Sequence, residues 1–281
     1  MAYLRDFIPT VNAHDSSELG NNFSEKDFDV VWKFMGFDRG NTPNPFVVHE
    51  YGSLSVGRFP RTKNLIKRLV NNKPNMRVFL NSAVQTDMGF KDNLPYCERD
   101  MGVSAHFFKV QPNPNTEFDF VYSGSLNRGK VIFSMLNHFK VNMKKSRLLI
   151  VGSVPDDIHS QFGSTTNIHF TGRLKYEDVP QAITQAKYGL NIMPDIYPFN
   201  IQTSTKVLEY CAAGLPVIST NYQWIRDFER KSGGQFFYCS PNFDTLSQET
   251  VDQYSFHCPN VTAYHWDSLI KKSGVFDFLS P

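Results

Sequence analysis

The stretch TSTKVLEYCAAGLPVIST, residues 203–220, decides how this chain is read. Three hydroxyl residues, Thr203, Ser204 and Thr205, run into Lys206, and Glu209 follows three residues later. The hydroxyls sit where a helix N-cap belongs. A helix start presents free N–H groups and the positive end of its dipole, which together bind phosphate, and Lys206 adds a full charge there. A carboxylate in the same turns would repel phosphate, so Glu209 needs a different partner. Near phosphate sites of α/β domains, a carboxylate accepts hydrogen bonds from ribose hydroxyls. A nucleotide diphosphate offers both partners. Cys211, Ala212 and Ala213 are small enough for close helix–sheet approach. Gly214 suits a left-handed C-cap, and Pro216 stops the helix and opens a strand. Taken alone, Lys206 and Glu209 also match an exposed i,i+3 ion pair worth a few tenths of a kcal/mol. The neighbouring strand-end loops favour the ligand reading, because open α/β sheets bind ligands there.

Working outward, short apolar runs alternate with helical patterns. Strands are expected at residues 118–124, 148–153, 168–172, 188–194, 215–220 and 235–240. Helices are expected at 129–141, 156–162, 177–186, 203–213 and 223–230. Such alternation predicts a parallel sheet covered on both faces, a Rossmann-like half with right-handed connections. Upstream the pattern is more compressed. Residues 28–36, 45–53 and 76–82 read as strands. Residues 62–70 read as a helix, with Leu65, Ile66, Leu69 and Val70 on one face expected to pack in the core. The stretch KVQPNPNTEFD, residues 109–119, reads as a linker, which places the domains at 1–116 and 117–281.

The motif TSTKVLEYCAAGLPVIST resembles the nucleotide-sugar motif of GT-B glycosyltransferases, in particular family four. Upstream, FVYSGSLNRGK (120–130), LLIVGS (148–153) and NIHFTGRLKYEDVPQAITQAKYGLNIMP (167–194) resemble the preceding donor-domain blocks in the right order. YHWDSLI (264–270) resembles the start of the closing C-terminal helix. The resemblance spans residues 118–280. It implies an α/β GT-B fold, two Rossmann-like domains facing across a cleft, here with a short N-terminal acceptor-side domain. It implies that Lys206 and the backbone of Thr203, Ser204 and Thr205 bind the donor diphosphate, that Glu209 binds ribose, that Arg128 and Lys130 contact phosphate, and that Gly172, Arg173 and Leu174 lie near the base. The family often carries a second glutamate before the first. Counting back from Glu209 gives Ile201, with Asp195, Asn200 and Gln202 as nearby substitutes.

In the first half, His49 and Glu50 of FVVHEYGSLSVGRFPRTK (46–63) are read as ending an apolar strand and entering a glycine-containing loop. His49 is the candidate to bind a sugar hydroxyl. Glu50 is the candidate base should the reaction invert. Residues 58–77 hold seven basic side chains, Arg58, Arg61, Lys63, Lys67, Arg68, Lys73 and Arg77, and no acidic one. They form either a solvated helix face or a patch for an anionic membrane or lipid diphosphate.

The net charge of +2 over 281 residues argues against a dedicated nucleic-acid binder, and no known nucleic-acid-binding motif appears. No apolar run spans a bilayer, and the N-terminus shows no signal-peptide core. Cys97, Cys211, Cys239 and Cys258 are widely spaced, which favours free thiols in a cytoplasmic setting, with peripheral contact at the inner membrane face through the basic run.

The leading expectation is a glycosyltransferase moving a hexose from a UDP-sugar to a glycan or lipid-linked glycan in bacterial surface polysaccharide synthesis, retaining, with no metal and no cofactor beyond the donor co-substrate. A non-catalytic degenerate partner that binds nucleotide sugar is the alternative. The D-x-D at Asp27 and Asp29 raises a metal-dependent transferase, against which stands an ordinary strand entrance.

Overall fold

The computed structural model describes residue 8 and residues 10–19, 23–39 and 45–279. Residues 1–7 and 9 of the N-terminal segment read for a signal peptide lie outside the described residues. The chain forms two compact units: residues 1–100 with 269–281, and residues 101–268.

The first unit is a four-stranded parallel sheet in the order β1 (Val30–Phe34), β2 (Phe46–Tyr51), β3 (Met76–Phe79), β4 (Tyr96–Glu98). Val48 and Val78 are fully buried on one face, where Val275 packs against them. Phe276 lies 5.6 Å from Trp32, and Phe278 stacks on Phe46 at 4.8 Å. Val275, Phe276 and Phe278 therefore belong to the first unit's core. Helix α1 (Pro60–Val70) follows β2, and α2 (Ser82–Met88) follows β3, capped by the Asn81 side chain at Val84 N.

Helix α1 departs from the sequence reading. Leu65, Ile66 and Leu69 are 42%, 41% and 73% exposed, whereas Asn64 is 2% exposed. Polar anchors explain the orientation. Asn64 accepts from Ser55 N at 2.9 Å and donates to Asp87 at 3.3 Å, and Arg68 donates to Gly89 O at 2.9 Å. The inward face is the polar one.

The second unit has six parallel strands in the order β10 (Phe237–Cys239), β9 (Val217–Thr220), β8 (Ala186–Asn191), β5 (Phe118–Ser123), β6 (Leu148–Val151), β7 (Ile168–Gly172). Alternate residues fill two cores, as a sheet covered on both faces requires. Phe120, Tyr122, Leu148 and Ile150 face one core; Val121, Leu149 and Val151 face the other. The connecting helices are α3 (Ala105–Phe108), α4 (Lys130–Val141), α5 (Asp156–Phe162), α6 (Val179–Ile183), α7 (Thr205–Ala212), α8 (Gln223–Ser232) and α9 (Gln248–Asp252). The expected helix over 177–186 is shorter: residues 177 and 178 belong to a 3-10 turn (Tyr176–Asp178), and Ala186 already opens β8. Helix α10 (Trp266–Ser273) carries the chain from the second unit back to the first.

The expected linker is part of the second unit. Phe108 and Val110 pack on its core, and a Cβ placed on Gly214 would meet Pro112 Cγ at 3.2 Å. These contacts put the observed boundary at 100/101, against the expected 116/117. Among the described residues, no helix is long and apolar enough to cross a membrane.

Candidate functional site

The second unit's strand order reverses direction next to its first strand. From β5 the chain steps outward through β6 and β7, then returns to place β8 on the other side of β5. The carboxyl ends of β5 and β8 therefore frame the topological switch point, where such sheets bind ligands. Two helices start there. Helix α4 follows β5 through Gly129, and α7 follows β8 through Ser204. Neither has a side-chain cap.

Ser204 occupies the N-cap position but turns its hydroxyl elsewhere. It donates to Asn191 Oδ1 at 2.8 Å, and Asn191 in turn donates to Ser219 Oγ and Tyr222 Oη, each at 2.9 Å. This buried network fixes the end of β8 against the start of α7. It leaves the first N–H groups of α7 without a cap from Ser204, the condition under which a helix start takes an anion. Asn191 falls inside the quoted block 167–194, yet as an amide in an apolar run nothing in its local sequence marks it as Ser204's partner.

Lys206 is 6% exposed. Its ammonium lies 5.3 Å from the Tyr122 ring centre, and a Cβ on Gly124 would stand 3.5 Å from Nζ. Gly124, at the end of β5, is itself crowded: a Cβ on Gly152 would fall 2.4 Å from Gly124 O. Only glycines allow these strand ends to approach so closely. Burial pushes the Lys206 pKa down to about 7, the Arg128 charge adds to the fall, and Glu209 opposes it. Glu209, one helical turn on, is 8% exposed and accepts from Tyr176 Oη at 2.8 Å. Burial raises its pKa, against the Tyr176 hydrogen bond and the Lys206 charge. Tyr176 also packs on Phe107, with ring centres 5.5 Å apart. It falls inside one of the quoted blocks, yet nothing in its local sequence marks it as Glu209's partner.

Arg128, from the β5–α4 loop, lies against Met193 Sδ and 5.9 Å from the Phe199 ring centre, both in the segment after β8. Its Nε is buried without a hydrogen-bond partner. Thr203 is buried and Thr205 half-buried at the head of α7. Lys130 is exposed on the first turn of α4, on the wall of a groove of ≈ 690 Å³ that Phe133, Asn137, Pro155 and Ile158 also line. Gly172 ends β7, Arg173 is exposed, and Leu174 packs on the core. Ile201 is half-buried in a short 3-10 turn (Phe199–Ile201). Beside it, Asn200 Oδ1 and Gln202 Nε2 are buried without partners, whereas Asp195 is exposed.

His49 and Glu50 are placed differently from the sequence reading. Strand β2 continues to Tyr51, so both sit within the sheet and do not enter a loop. His49 is fully buried, with Nε2 3.0 Å from Asp38 Oδ2, and burial lowers its pKa. Glu50 accepts from Trp32 Nε1 at 2.7 Å and pairs with Arg99. Asp27 caps its own 3-10 turn, accepting from Ser24 N at 2.9 Å, so this half of the D-x-D is a local cap. Among the described residues, no three His, Cys, Asp or Glu side chains gather as metal ligands.

Residues 117–252 match the model of the family described as Glycosyl transferases group 1, a stretch that overlaps the 118–280 span read by resemblance from its start. No curated protein matches the chain. Solved structures with the GT-B fold do. Sucrose-phosphate synthase from Thermosynechococcus elongatus superposes with a TM-score of 0.60 at 12% identity, over 84% of this chain and 68% of that one. HepE of Anabaena, solved in complex with UDP and glucose, gives 0.55 at 13% identity, over 82% and 68%. TarM gives 0.56 at 13% identity, over 86% of this chain and 50% of its own. At these identities the likeness is one of fold, and the α/β GT-B fold is shared.

Proposed function

We propose, from a second unit that matches the group 1 glycosyl transferases and a GT-B fold, that this chain transfers a sugar from a nucleotide diphosphate donor to a hydroxyl acceptor. One juxtaposition carries the reading. At the switch point, a buried lysine, an uncapped helix start and a buried carboxylate stand within one helical turn. The start of α7 and Lys206 would hold the diphosphate and stabilise the negative charge that grows on it as the sugar–oxygen bond breaks. Glu209, held by Tyr176, would accept the ribose hydroxyls. Arg128 would add charge at the phosphates, and residues 172–174 would border the base.

A uridine base, a hexose, retention of configuration, metal independence and a glycan or lipid-linked glycan acceptor complete the proposal, with bacterial surface polysaccharide synthesis as its setting. The four unpaired cysteines fit a cytoplasmic location. With Ile201 where a second carboxylate was sought, the buried and unpartnered Asn200 Oδ1 and Gln202 Nε2 are the polar groups nearest in sequence for the sugar.

A second reading has its own observation. Glu50, the base that an inverting transfer would use, is occupied by Trp32 and Arg99, and a chain that relied on it could bind donor without transferring it. Thermal unfolding with a panel of nucleotide sugars tests both. A ligand at a hundred times its Kd adds about 2.7 kcal/mol. Stabilisation by one nucleotide class, lost in Glu209→Ala, supports the site. No response by the folded protein to any nucleotide sugar overturns it. Binding without glycosylation of any acceptor favours the second reading.

A further inference from the structure

Helix α1 is amphipathic, and its apolar side faces out. Leu65, Ile66 and Leu69 are exposed along it, while Asn64 and Arg68 hold the opposite side by hydrogen bonds to Ser55, Asp87 and Gly89. Both ends of the helix extend the apolar surface. At the start, Phe59 is 62% exposed in a left-handed N-cap, and Val56, 49% exposed, is tied to the helix by Lys63 Nζ donating to its carbonyl at 3.0 Å. At the end, Asn71 accepts from Asp38 N at 3.0 Å and so tethers the loop that carries Phe37, 59% exposed. Six large apolar side chains are thus gathered about one short helix and left to solvent. Scattered apolar residues are ordinary on a surface; a cluster on one element marks an interaction face.

The charges around it select the partner. Arg58, Arg61 and Lys63 sit at the helix start and Lys73 just beyond its end, with no acidic residue between 58 and 77; from the neighbouring helix, Asp87 lines the same groove as Arg61 and Leu65 and accepts from Asn64. The Arg58 guanidinium lies over the Phe59 ring at 5.0 Å. Aromatic and aliphatic groups bordered by cations are what an interfacial helix presents to a bilayer: the apolar groups enter the acyl boundary and the cations meet anionic headgroups. We propose that α1 and its flanks form a docking surface for an anionic lipid bilayer, with Phe59, Leu65 and Leu69 inserting and the basic rim supplying headgroup contacts. The proposal stands apart from the donor site, since lipid docking requires no donor.

Vesicle co-sedimentation of the whole chain tests it. Phosphatidylcholine vesicles with phosphatidylglycerol are compared with phosphatidylcholine alone. Partition should favour the anionic vesicles and weaken with salt. Reversing two rim charges, Arg58→Glu with Lys73→Glu, should cost at least about thirtyfold. Leu65→Ser with Leu69→Ser should cost at least about tenfold while leaving the unfolding temperature unchanged, because both side chains already face water. Phe59→Asn guards against misfolding. Asparagine tolerates the left-handed N-cap and can cap the helix, so this variant should fold and still lose partition. Equal binding to both vesicle types, or to neither, overturns the proposal. So does a self-associated chain that Leu69→Ser converts to monomer, which would assign the face to a second copy.

Discussion

The Tyr176 hydroxyl donates a 2.8 Å hydrogen bond to Oε1 of Glu209, and this bond joins two elements that the sequence keeps 33 residues apart. Tyr176 lies in the segment after β7, and Glu209 on α7. The bond aims a buried carboxylate that would otherwise rotate. Tyr176→Phe should therefore weaken nucleotide binding about three- to tenfold and cost about 1 kcal/mol of stability. Glu209→Ala should weaken binding by about ten- to a hundredfold, the worth of hydrogen bonds to a charged group. Calorimetric titration with UDP measures both. Tighter binding by Tyr176→Phe would show that the phenol competes with ribose.

Lys206 makes donor affinity pH-dependent. A nucleotide sugar carries no phosphate that titrates near neutrality, so the lysine supplies the titrating charge. The protonated form binds diphosphate, and in the free chain that form is lost as pH rises through about 7. Kd should be flat below about pH 6.5 and rise by up to tenfold per unit above it, with proton uptake on binding near pH 8. A flat profile from pH 6.5 to 9 would falsify this. The same depressed pKa affects stability. The free chain keeps the full contribution above the ordinary lysine value of about 10.4 and loses it as pH falls towards 7. Lys206→Met should thus raise the unfolding temperature at pH 7, lose that advantage above pH 10.5, and abolish the donor response.

Glu50 is expected to act on the fold. Glu50→Gln keeps an acceptor for Trp32 but removes the Glu50 charge from Arg99. Breaking such a buried pair costs about 3 kcal/mol. Nucleotide binding by the second unit should not change. Chemical denaturation and donor titration on one preparation separate these effects. Lost turnover at unchanged stability would return Glu50 to the chemistry.

Gly189 lies in β8 beneath the Tyr210 ring, and a Cβ there would stand 2.6 Å from the ring. Tyr210 is fully buried and accepts from Ser123 N at 3.0 Å, linking α7 to the end of β5. Gly189→Ala should cost about 2–3 kcal/mol and lower the unfolding temperature by roughly 5–10 °C. It should also weaken donor binding, because Tyr210 shares α7 with Lys206 and Glu209.

What the sequence determined was mostly local. Alternating apolar runs specified the parallel sheet of the second unit, since a strand covered on both faces must be apolar throughout. The helix-stop Gly214, at φ +70, and the positions of Lys206 and Glu209 were legible because a turn, a cap and a helix start use few residues. Tertiary structure decided what depended on distant partners. Tyr176 and Asn191 reach the site through folding, and neither carries a local signal. The sequence assigned Leu65 and Leu69 to the core by periodicity, but periodicity gives only the angle between two faces of a helix. Asn64 and Arg68 chose which face turned inward, because their partners at Ser55, Asp87 and Gly89 lie beyond the helix. His49 and Glu50 moved from loop to sheet interior in the same way: β2 runs on to Tyr51, and Asp38 and Arg99 arrive from elsewhere in the chain to pair with them.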